Sequence, residues 1–423
     1  MIPAPAALTV RPGESFRVQD PGALPCSYTG GPRESYRLTV TSRGVSLEAA
    51  DEAGHARALS TLRQLGPEVP GLVIEDSPRY PWRGVMLDVA RHFFGVEDVL
   101  RFIELAALYK LNVVHLHLTD DQGWRIEIPA WPLLTTVGAE TQVGGGAGGF
   151  FSQADYARIV EHAAARHVTI VPEIDVPGHV NAALRAYPEL WGREAPEPFT
   201  TWSSPGHSLD VGSEIVARFM DEVIGSVAAL TPGAYIHLGG DEVEGMDHEA
   251  YVRFMWDACS TVLRHGRRPI VWEEAGVAKL PAGTIVQHWS DPKPAQAGAA
   301  QGLPLIMSPA PHTYLDQKYD ESTSLGLTWA GAVEVRDAYD WNPESVIPEA
   351  DVLGVEAALW SETTETRDDV DHLVFPRLAA VAEVGWSGER DWEDFRARLG
   401  AHGRLLSELG VNFHRSKQIE WAQ

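Results

Sequence analysis

The stretch Ala234-Tyr235-Ile236-His237-Leu238-Gly239-Gly240-Asp241-Glu242 joins a short apolar run to two glycines and two adjacent carboxylates. Its apolar part, 234–238, is too short for a helix but has the composition of a strand that is buried on both faces. A carboxylate at the exit of a buried strand is unfavourable unless it is hydrogen-bonded or used in chemistry. Glycines at that point let backbone and ligand approach closely. We therefore take Asp241 and Glu242 as candidate catalytic residues, provided that the surrounding chain forms a buried sheet.

Seven further apolar runs of this kind recur along the chain, and helix-like patterns separate several of them. The further runs are 84–89, 113–118, 168–174, 269–272, 284–289, 303–307 and 352–360. The helical patterns are 96–109, 153–166, 213–230 and 249–265. Strands that are apolar on both faces and alternate with helices indicate a parallel sheet covered by helices.

Eight such units predict an α/β fold, namely a (β/α)8 TIM barrel with long insertions at residues 79–423. The alternative is an open, doubly wound sheet, but no Gly-rich phosphate loop opens any of the predicted helices. The glycine-rich segment 144–149 is a flexible loop, because no Lys-Ser/Thr pair and no strand-to-helix context follow it.

The residues before the barrel predict a small N-terminal α+β domain at 1–78. Segments 35–40 and 44–49 alternate like two half-buried strands joined by a tight turn. Segment 54–65 spaces its apolar residues like an amphipathic helix.

The composition limits the possible partners. The 423 residues carry a net charge of −25 and an ordinary apolar fraction of 44%. This charge argues against a nucleic-acid or anionic-membrane partner. No apolar run is long enough for a transmembrane helix, and the two cysteines form neither a disulfide framework nor a metal motif. The N-terminus lacks a signal-peptide pattern, so we expect a cytoplasmic protein, or a secreted one if a leader has been removed. The oligomeric state does not follow from the sequence.

The predicted strand ends carry the polar and aromatic residues of a candidate site, because catalytic groups of a TIM barrel lie at the carboxyl ends of its strands. Aromatic rings stack on the C–H face of a pyranose, and carboxylates and arginine bind its hydroxyls, so this set predicts a carbohydrate site. The residues are Asp88, Arg91, His92, Thr119, Asp120, Asp121, Glu173, Asp175, His179, Asp241, Glu242, Trp272, Trp289, Tyr314, Asp316, Trp360 and Glu362.

Several long motifs in one order resemble the family 20 glycoside hydrolases, which are β-N-acetylhexosaminidases. They are WRG at 82–84, LD at 87–88, RHFF at 91–94, HLHLTDDQGWR at 115–125, VPEIDVPGH at 171–179, HLGGDEV at 237–243, YLD at 314–316 and LWSE at 359–362. The resemblance is strong over about 80–390 and weak in the N-terminal domain.

The resemblance implies an exo-acting, retaining β-N-acetylhexosaminidase that removes terminal, non-reducing β-linked GlcNAc or GalNAc from an amino-sugar glycan. The substrate's own 2-acetamido oxygen would attack C1 and form an oxazolinium intermediate, in place of an enzyme nucleophile. Matched to the motif, Glu242 would be the general acid and base, and Asp241 would orient and stabilise the acetamido group. The pKa of Glu242 should then be raised by burial or by neighbouring carboxylates, while Asp241 should stay ionised.

The same match implies supporting roles around this pair. Asp120 and His179 would form a relay with Glu242. Arg91 would bind the 3- and 4-hydroxyls, Tyr314 the acetamido oxygen, and Asp316 and Glu362 outer hydroxyls. The walls of the site would be Trp272, Trp289 and Trp360. Apart from this match, Trp329 follows the Tyr314 loop, and we expect it to cap the sugar ring.

Other interpretations of these residues are weaker. His115 and His117 share one face of a strand and mimic a metal pair, but no third ligand has convincing spacing, so we predict structural histidines, no metal and no cofactor. Arg91 could simply pair with a barrel carboxylate such as Asp88. Two segments, 54–58 and 195–211, depart from the family pattern, which leaves the small domain's surface and the leaving-group preference open.

Two other functions are alternatives to the hydrolysis of amino-sugar glycosides. A retaining glycosidase of the two-carboxylate type would need a nucleophilic carboxylate about 5 Å from Glu242. A glycan-binding protein built on the same barrel predicts missing catalytic carboxylates, whereas both are present.

Overall fold

The computed structural model describes residues 1–243 and 245–422 and contains a five-stranded sheet followed by a closed, eight-stranded barrel. All eight predicted barrel strands form, and all eight pair in parallel around the barrel, so the (β/α)8 prediction is confirmed. The alternative of an open sheet is wrong, because the last strand pairs with the first along Gly354 to Leu359.

The thirteen strands of the described residues are numbered in chain order. They are β1 (Ala7–Arg17), β2 (Cys26–Tyr28), β3 (Tyr36–Thr41), β4 (Gly44–Ala49), β5 (Glu68–Asp76), β6 (Trp82–Asp88), β7 (Val113–His117), β8 (Thr169–Glu173), β9 (Tyr235–His237), β10 (Arg268–Trp272), β11 (Ile285–His288), β12 (Leu305–Met307) and β13 (Val352–Leu359).

The α-helices of the described residues follow the same convention. They are α1 (Glu52–Leu65), α2 (Val96–Leu108), α3 (Leu133–Thr136), α4 (Gln153–Ala164), α5 (Asn181–Ala186), α6 (Glu214–Leu230), α7 (His248–Arg264), α8 (Pro292–Ala300), α9 (Ala310–Thr313), α10 (Val335–Tyr339), α11 (Pro343–Val346), α12 (Arg367–Val374), α13 (Arg377–Trp386) and α14 (Trp392–Glu408). Short 3-10 segments occur at Pro21–Ala23, Val143–Gly145, Pro188–Leu190 and Glu273–Val277.

The small sheet has the strand order β1-β5-β3-β4-β2, with α1 packed on it. The sequence predicts β3, β4 and α1 but not β1, β2 or β5. The residues of β1 are mostly exposed and show no alternation. The boundary at residue 78 stays a prediction; β5 ends at Asp76 and β6 begins at Trp82.

A buried ionic cluster joins this sheet to the barrel. Asp76 accepts hydrogen bonds from Lys110 Nζ at 2.7 Å, from Trp386 Nε1 at 2.9 Å and from Tyr36 Oη at 2.8 Å. Because every one of these groups is buried and paired, the cluster fixes the small sheet against the bottom of the barrel.

The barrel strands point alternate residues inward and outward. In β6, Val85 and Leu87 pack outward with the helices, whereas Met86 packs inward with the tryptophans of the barrel mouth. A second inward layer, at the opposite end, is apolar and contains Trp82, Val113, Val171, Ile270, Ile285 and Ile306. The inward positions between these layers are polar, which is where His115, Glu173 and Glu356 lie fully buried.

The helices that cover the barrel have the capping residues and buried faces that their sequences predict, as α6 shows. In α6 the side chain of Ser213 accepts a hydrogen bond from the Val216 amide and so caps the helix, which then buries one face from Val216 to Ala228. Within 1–243 and 245–422, no helix combines the length and apolarity that crossing a membrane requires.

Candidate active site

A single pocket at the carboxyl ends of the barrel strands contains eleven of the twelve residues for which the sequence predicts a role in the site. Its lining is Arg91, His179, Asp241, Glu242, Trp272, Trp289, Tyr314, Asp316, Trp329, Trp360 and Glu362. The twelfth, Asp120, is buried directly beneath, in contact with Arg91 and His179. The structure therefore brings together residues that are up to 271 positions apart in the chain, from Arg91 to Glu362.

The turn after β9 delivers the two carboxylates. Gly239 and Gly240 adopt φ angles of 65° and 96°, a left-handed conformation that glycine reaches without a steric penalty. A Cβ atom on Gly239 would lie 1.7 Å from Oδ1 of Asp175, so no larger residue fits there. The same Asp175 oxygen accepts a hydrogen bond from the Gly240 amide at 3.2 Å and holds the turn in place.

His179 lies between the relay and the carboxylate pair. Its Nε2 atom is 3.5 Å from Oε2 of Glu242 and 3.8 Å from Oδ2 of Asp241. Its other ring nitrogen, Nδ1, is 3.2 Å from Oδ1 of Asp120. His179 and Glu242 both have left-handed backbone conformations, with φ angles of 53° and 49°. Non-glycine residues in this region are strained, and such strain clusters at functional sites.

Asp120 contacts both the arginine and the histidines of the site. Its Oδ2 atom is 2.9 Å from Nη2 of Arg91 and 2.7 Å from Nε2 of His117. Burial opposes the ionisation of Asp120, but Arg91 and His179 more than offset it and hold its pKa well below the usual range. An ionised Asp120 therefore holds both Arg91 and His179, the histidine beside Glu242.

The pKa of Glu242 departs from the expectation. The sequence predicts a raised pKa, but in the substrate-free structure the pKa of Glu242 is lowered, chiefly by the adjacent His179 ring, whose Nε2 lies 3.5 Å from Oε2 of Glu242. The side chain of Glu242 is 54% exposed, so burial does not dominate its ionisation. Burial lowers the pKa of His179, but the Asp120 carboxylate outweighs it and raises that pKa well above the ordinary value. Both directions favour a proton on His179 rather than on Glu242 when no substrate is bound.

The pKa of Asp241 is raised to about 6, mainly by burial and partly by Glu242. At neutral pH Asp241 is therefore largely ionised, as a group that stabilises a developing positive charge must be.

Aromatic rings form the walls of the pocket. The rings of Trp289 and Tyr314 are stacked at 6.1 Å with an interplanar angle of 12°, and Trp329 stands edge-on to both at 5.8 Å and 5.6 Å. Trp272 and Trp360 are buried, with centroids 6.0 Å apart, at the inner end of the pocket. Trp329 is 53% exposed, which places it at the rim.

The far side of the pocket, where the sequence predicts contacts with sugar hydroxyls, is polar and is called the hydroxyl edge. The Arg91 guanidinium lies 4.8 Å over the ring of Trp360 and 3.4 Å from Oδ2 of Asp88. Burial and the neighbouring Glu362 carboxylate raise the pKa of Asp316 to about 8. Burial also raises the pKa of Glu362 to about 7, although Arg91 acts in the opposite direction.

Unsatisfied polar atoms converge on this pocket. Within the described residues, five pocket side chains have a buried nitrogen or oxygen without a hydrogen-bond partner: Arg91 Nε, His179 Nε2, Asp241 Oδ1, Asp316 Oδ1 and Glu362 Oε2. Buried polar atoms are almost always paired, so a pocket that collects several unpaired ones is complementary to a polar ligand.

The sequence places Glu173 and Asp175 among the candidate residues at strand ends but predicts no role for them, and Glu274 is not among the candidates. Glu173 and Asp175 lie beneath the pocket floor, and Glu274 accepts a hydrogen bond from Trp289 Nε1 at 3.1 Å. Burial and the Asp241 charge raise the pKa of Glu274 to about 8. The only sequence signal for them is their position at strand ends, which catalytic and purely structural carboxylates share.

Three clusters of ligand-type side chains in the described residues, each with ligand atoms within 4.8 Å, could hold a metal: His115–Glu173–His237, His117–Glu173–Asp175 and Asp120–Asp175–His179. Most of these atoms are already used. His115 Nδ1 lies 2.9 Å from Glu356 Oε1, and His117 uses both ring nitrogens, on Glu173 and Asp120. These contacts favour the interpretation of His115 and His117 as structural, hydrogen-bonded histidines.

Comparison with known proteins agrees with this geometry. The family model "Glycosyl hydrolase family 20, catalytic domain" matches residues 80–253 and 246–389, and the model for domain 2 of the same family matches residues 23–77.

Two curated relatives have similar sequences. The chain is 47% identical over 404 residues to the β-N-acetylhexosaminidase of Cellulomonas fimi, covering 92% of this chain and 82% of that protein. It is 35% identical over 424 residues to a β-hexosaminidase of Porphyromonas gingivalis, covering 90% of this chain and 54% of that longer protein.

The fold is also similar to a solved structure. A variant of the Streptomyces plicatus β-hexosaminidase, in complex with its product GlcNAc, superposes with a TM-score of 0.96 and 40% identity, covering 100% of this chain and 97% of that one.

Proposed function

The chain belongs to glycosyl hydrolase family 20, an assignment that makes it a β-N-acetylhexosaminidase, and we propose that it removes terminal β-linked GlcNAc or GalNAc by substrate-assisted, retaining catalysis. The observation that carries this proposal is the set of unpaired polar atoms around an aromatic pocket that is closed at its inner end. A single pyranose, inserted with its non-reducing end first, would satisfy the atoms at the hydroxyl edge and place its anomeric carbon near Glu242.

The acetamido group is the proposed nucleophile. Asp241 Oδ1, buried and unpaired among the described residues, would accept the acetamido N–H, while the Tyr314 hydroxyl would donate to the acetamido oxygen. That oxygen then forms a bond to C1 as the bond from C1 to the leaving oxygen breaks. The positive charge that develops on the ring nitrogen of the oxazolinium is stabilised by the ionised Asp241.

Glu242 is the proposed general acid and base. It donates its proton to the leaving oxygen in the first step. In the second step it takes a proton from water, which attacks C1 and opens the oxazolinium ring, so the β configuration is retained.

The proton state of the free site supports a specific sequence of events. In the substrate-free structure the raised pKa of His179 and the lowered pKa of Glu242 both favour a proton on His179. A bound sugar covers the exposed Glu242 carboxylate and removes water from it, which favours the neutral pair of an uncharged imidazole and a protonated carboxyl. Substrate binding would thereby place the proton on Glu242, where the acid step requires it.

The experiment compares 4-nitrophenyl glycosides of β-GlcNAc, β-GalNAc and β-glucose. Turnover of the N-acetyl sugars with little turnover of the glucoside is expected, because the glucoside lacks the nucleophile. Comparable rates on GlcNAc and glucose would overturn the substrate-assisted mechanism. As a second check, Glu242→Gln should lower kcat by roughly 10²- to 10⁴-fold, the usual contribution of a general acid; unchanged hydrolysis would rule out the role of Glu242.

A further inference from the structure

The carboxylate of Glu173, at the end of β8, is fully buried beneath the pocket and contacts both halves of the site. Its Oε2 atom is 2.5 Å from Nδ1 of His117, and its Oε1 atom accepts a hydrogen bond from Nε1 of Trp272 at 2.9 Å. Neither the pocket lining nor the mechanism above includes Glu173, although one carboxylate thus contacts two separate elements of the site.

Through His117, Glu173 is connected to the proposed reacting groups; we call this connection the His117 arm. The second ring nitrogen of His117 is 2.7 Å from Oδ2 of Asp120. Asp120 in turn binds Nδ1 of His179 at 3.2 Å, and Nε2 of His179 is 3.5 Å from Glu242. Charges alternate along this chain: Glu173 and Asp120 are carboxylates with lowered pKa values, and the pKa values of His117 and His179 are raised. Each member therefore fixes the protonation state and the orientation of the next.

Through Trp272, Glu173 contacts the inner wall of the pocket; we call this connection the Trp272 arm. Trp272 is 1% exposed and forms part of the inner wall of the pocket. Indole has one polar hydrogen, and Glu173 accepts it, so the plane of the ring is fixed by this bond together with packing against Trp360.

We propose that Glu173 is a positioning residue for both halves of the reaction: through His117 and Asp120 it holds His179 against Glu242, and through Trp272 it holds the wall of the acetamido pocket. This inference rests on the proposed function, since it assigns Glu242 as the acid. Glu173 touches no reacting atom, so its effect must appear through the acid step rather than through substrate contact.

Glu173→Gln tests the His117 arm. The amide oxygen can still accept from Trp272, but the amide NH₂ then faces His117 Nδ1, which must become an acceptor. His117 consequently loses its charge, and Asp120 exchanges a cationic donor for a neutral one, which weakens its hold on His179.

The readout is leaving-group dependence, which reports the acid step directly. Wild type and Glu173→Gln are assayed on 2,4-dinitrophenyl and phenyl β-GlcNAc, because the dinitrophenolate departs without protonation and the phenolate needs it. We expect Glu173→Gln to lose about tenfold more kcat/KM on the phenyl substrate than on the dinitrophenyl one, a part of the roughly 10²- to 10⁴-fold that an acid provides. The ratio is measured within one protein, so partial misfolding cancels.

Glu356→Gln is the matched control. Glu356 is equally buried in the barrel and also accepts from a tryptophan and lies beside a histidine, through Trp82 Nε1 at 2.9 Å and His115 Nδ1 at 2.9 Å. It contacts neither His117 nor Trp272, but it shares His115 with Glu173, since Nε2 of His115 lies 3.0 Å from Oε2 of Glu173. Glu356→Gln therefore tests whether a change at His115 is enough to alter the ratio. If the effect of Glu173 passes through His117, the ratio should stay at the wild-type value even if the melting temperature falls.

Trp272→Phe tests the Trp272 arm. It removes the hydrogen bond to Glu173 but keeps a ring, and should raise KM equally for both leaving groups without changing their ratio. Equal losses on both substrates in Glu173→Gln, or the same ratio change in Glu356→Gln, would overturn the proposal and leave Glu173 a structural residue. Failure of the wild type to hydrolyse either GlcNAc glycoside would instead refute the proposed function, which separates the two outcomes.

Discussion

Nε2 of His179 lies 3.5 Å from Oε2 of Glu242, and both residues occupy the left-handed region of backbone conformation. Two strained residues in contact imply that the surrounding structure imposes their meeting, since strain of about 1–3 kcal/mol per residue persists only where other contacts over-determine it. The contact joins the proposed general acid to the histidine that lowers its pKa.

The first prediction concerns the pH profile of His179→Asn. Asparagine tolerates the left-handed conformation, so the backbone is preserved. In the wild type the shared proton is retained to high pH because the pKa of His179 is raised. In the variant Glu242 must hold it alone, so the alkaline limb of kcat/KM should move to lower pH, and activity should fall far more at pH 8 than at pH 5.

The measurement is kcat/KM for 4-nitrophenyl β-GlcNAc from pH 4 to pH 9. A uniform decrease at every pH, with both limbs in place, would mean that His179 is a packing residue and not the partner that holds the proton.

The second prediction concerns the stability of Asp241→Asn. The pKa of Asp241 rises from 3.8 to about 6 on folding, so between these values the unfolded chain is ionised while the folded chain is protonated. The wild type therefore loses stability as the pH rises through this window, by up to about 3 kcal/mol at 1.36 kcal/mol per pKa unit. Asparagine has the same shape and no charge to bury, so the variant should match the wild type near pH 3.5 and exceed it above pH 6, while losing most of its activity.

Denaturant unfolding of both proteins at pH 3.5, 5 and 7 checks this expectation. A variant that is no more stable than the wild type at pH 7 would show that burying the ionised Asp241 carboxylate does not destabilise the folded protein.

The sequence predicts most of the fold because the barrel strands are short, apolar on both faces and regularly spaced. It does not predict β1, since an exposed strand has no alternation and depends on pairing with β5, 51 or more residues away in sequence at the points where they meet. The site residues could be predicted as a set, because each follows a strand end and those ends meet at one rim.

The ionisation of Glu242 could not be predicted in the same way. The sequence places Glu242 next to Asp241, and adjacent carboxylates suggest a raised pKa. The decisive neighbour is His179, 63 positions earlier, which reaches Glu242 only because of a left-handed turn. Glu173 could be placed at a strand end but not given a role for a related reason: the role proposed for it depends on which side chains its two oxygens contact, and no spacing in the sequence encodes that.

The third prediction concerns Arg91→Lys. The guanidinium contacts Asp88 with Nη1 and Asp120 with Nη2, leaving Nε unpaired in the pocket among the described residues. One ammonium cannot keep both contacts and also bind a hydroxyl. We expect kcat/KM to fall by about 10- to 100-fold, the equivalent of one charged hydrogen bond at about 1.5–3 kcal/mol, mainly through KM.

Assay of the 4-deoxy analogue of 4-nitrophenyl β-GlcNAc provides the control. If Arg91 binds that hydroxyl, the wild type should lose affinity for the analogue and the variant should lose little more. An equal penalty from the deoxy substitution in both proteins would place Arg91 away from the 4-hydroxyl.

The fourth prediction concerns Gly239→Ala. An added Cβ meets Oδ1 of Asp175 at 1.7 Å, and the φ angle of 65° is unfavourable for alanine. The turn must therefore shift, and it carries both carboxylates, so a displacement of about 1 Å should lower kcat by about 10².

Gly283→Ala is the matched control: its φ is 93°, and no atom of the described structure lies within 4 Å of the added Cβ. It has the left-handed penalty alone, about 1 kcal/mol of stability, and should keep the wild-type kcat. If both variants lose stability and neither loses kcat, the turn tolerates movement and Asp175 does not define the positions of Asp241 and Glu242. If only Gly239→Ala loses kcat, the contact between Asp175 and the glycine turn is what positions the catalytic pair.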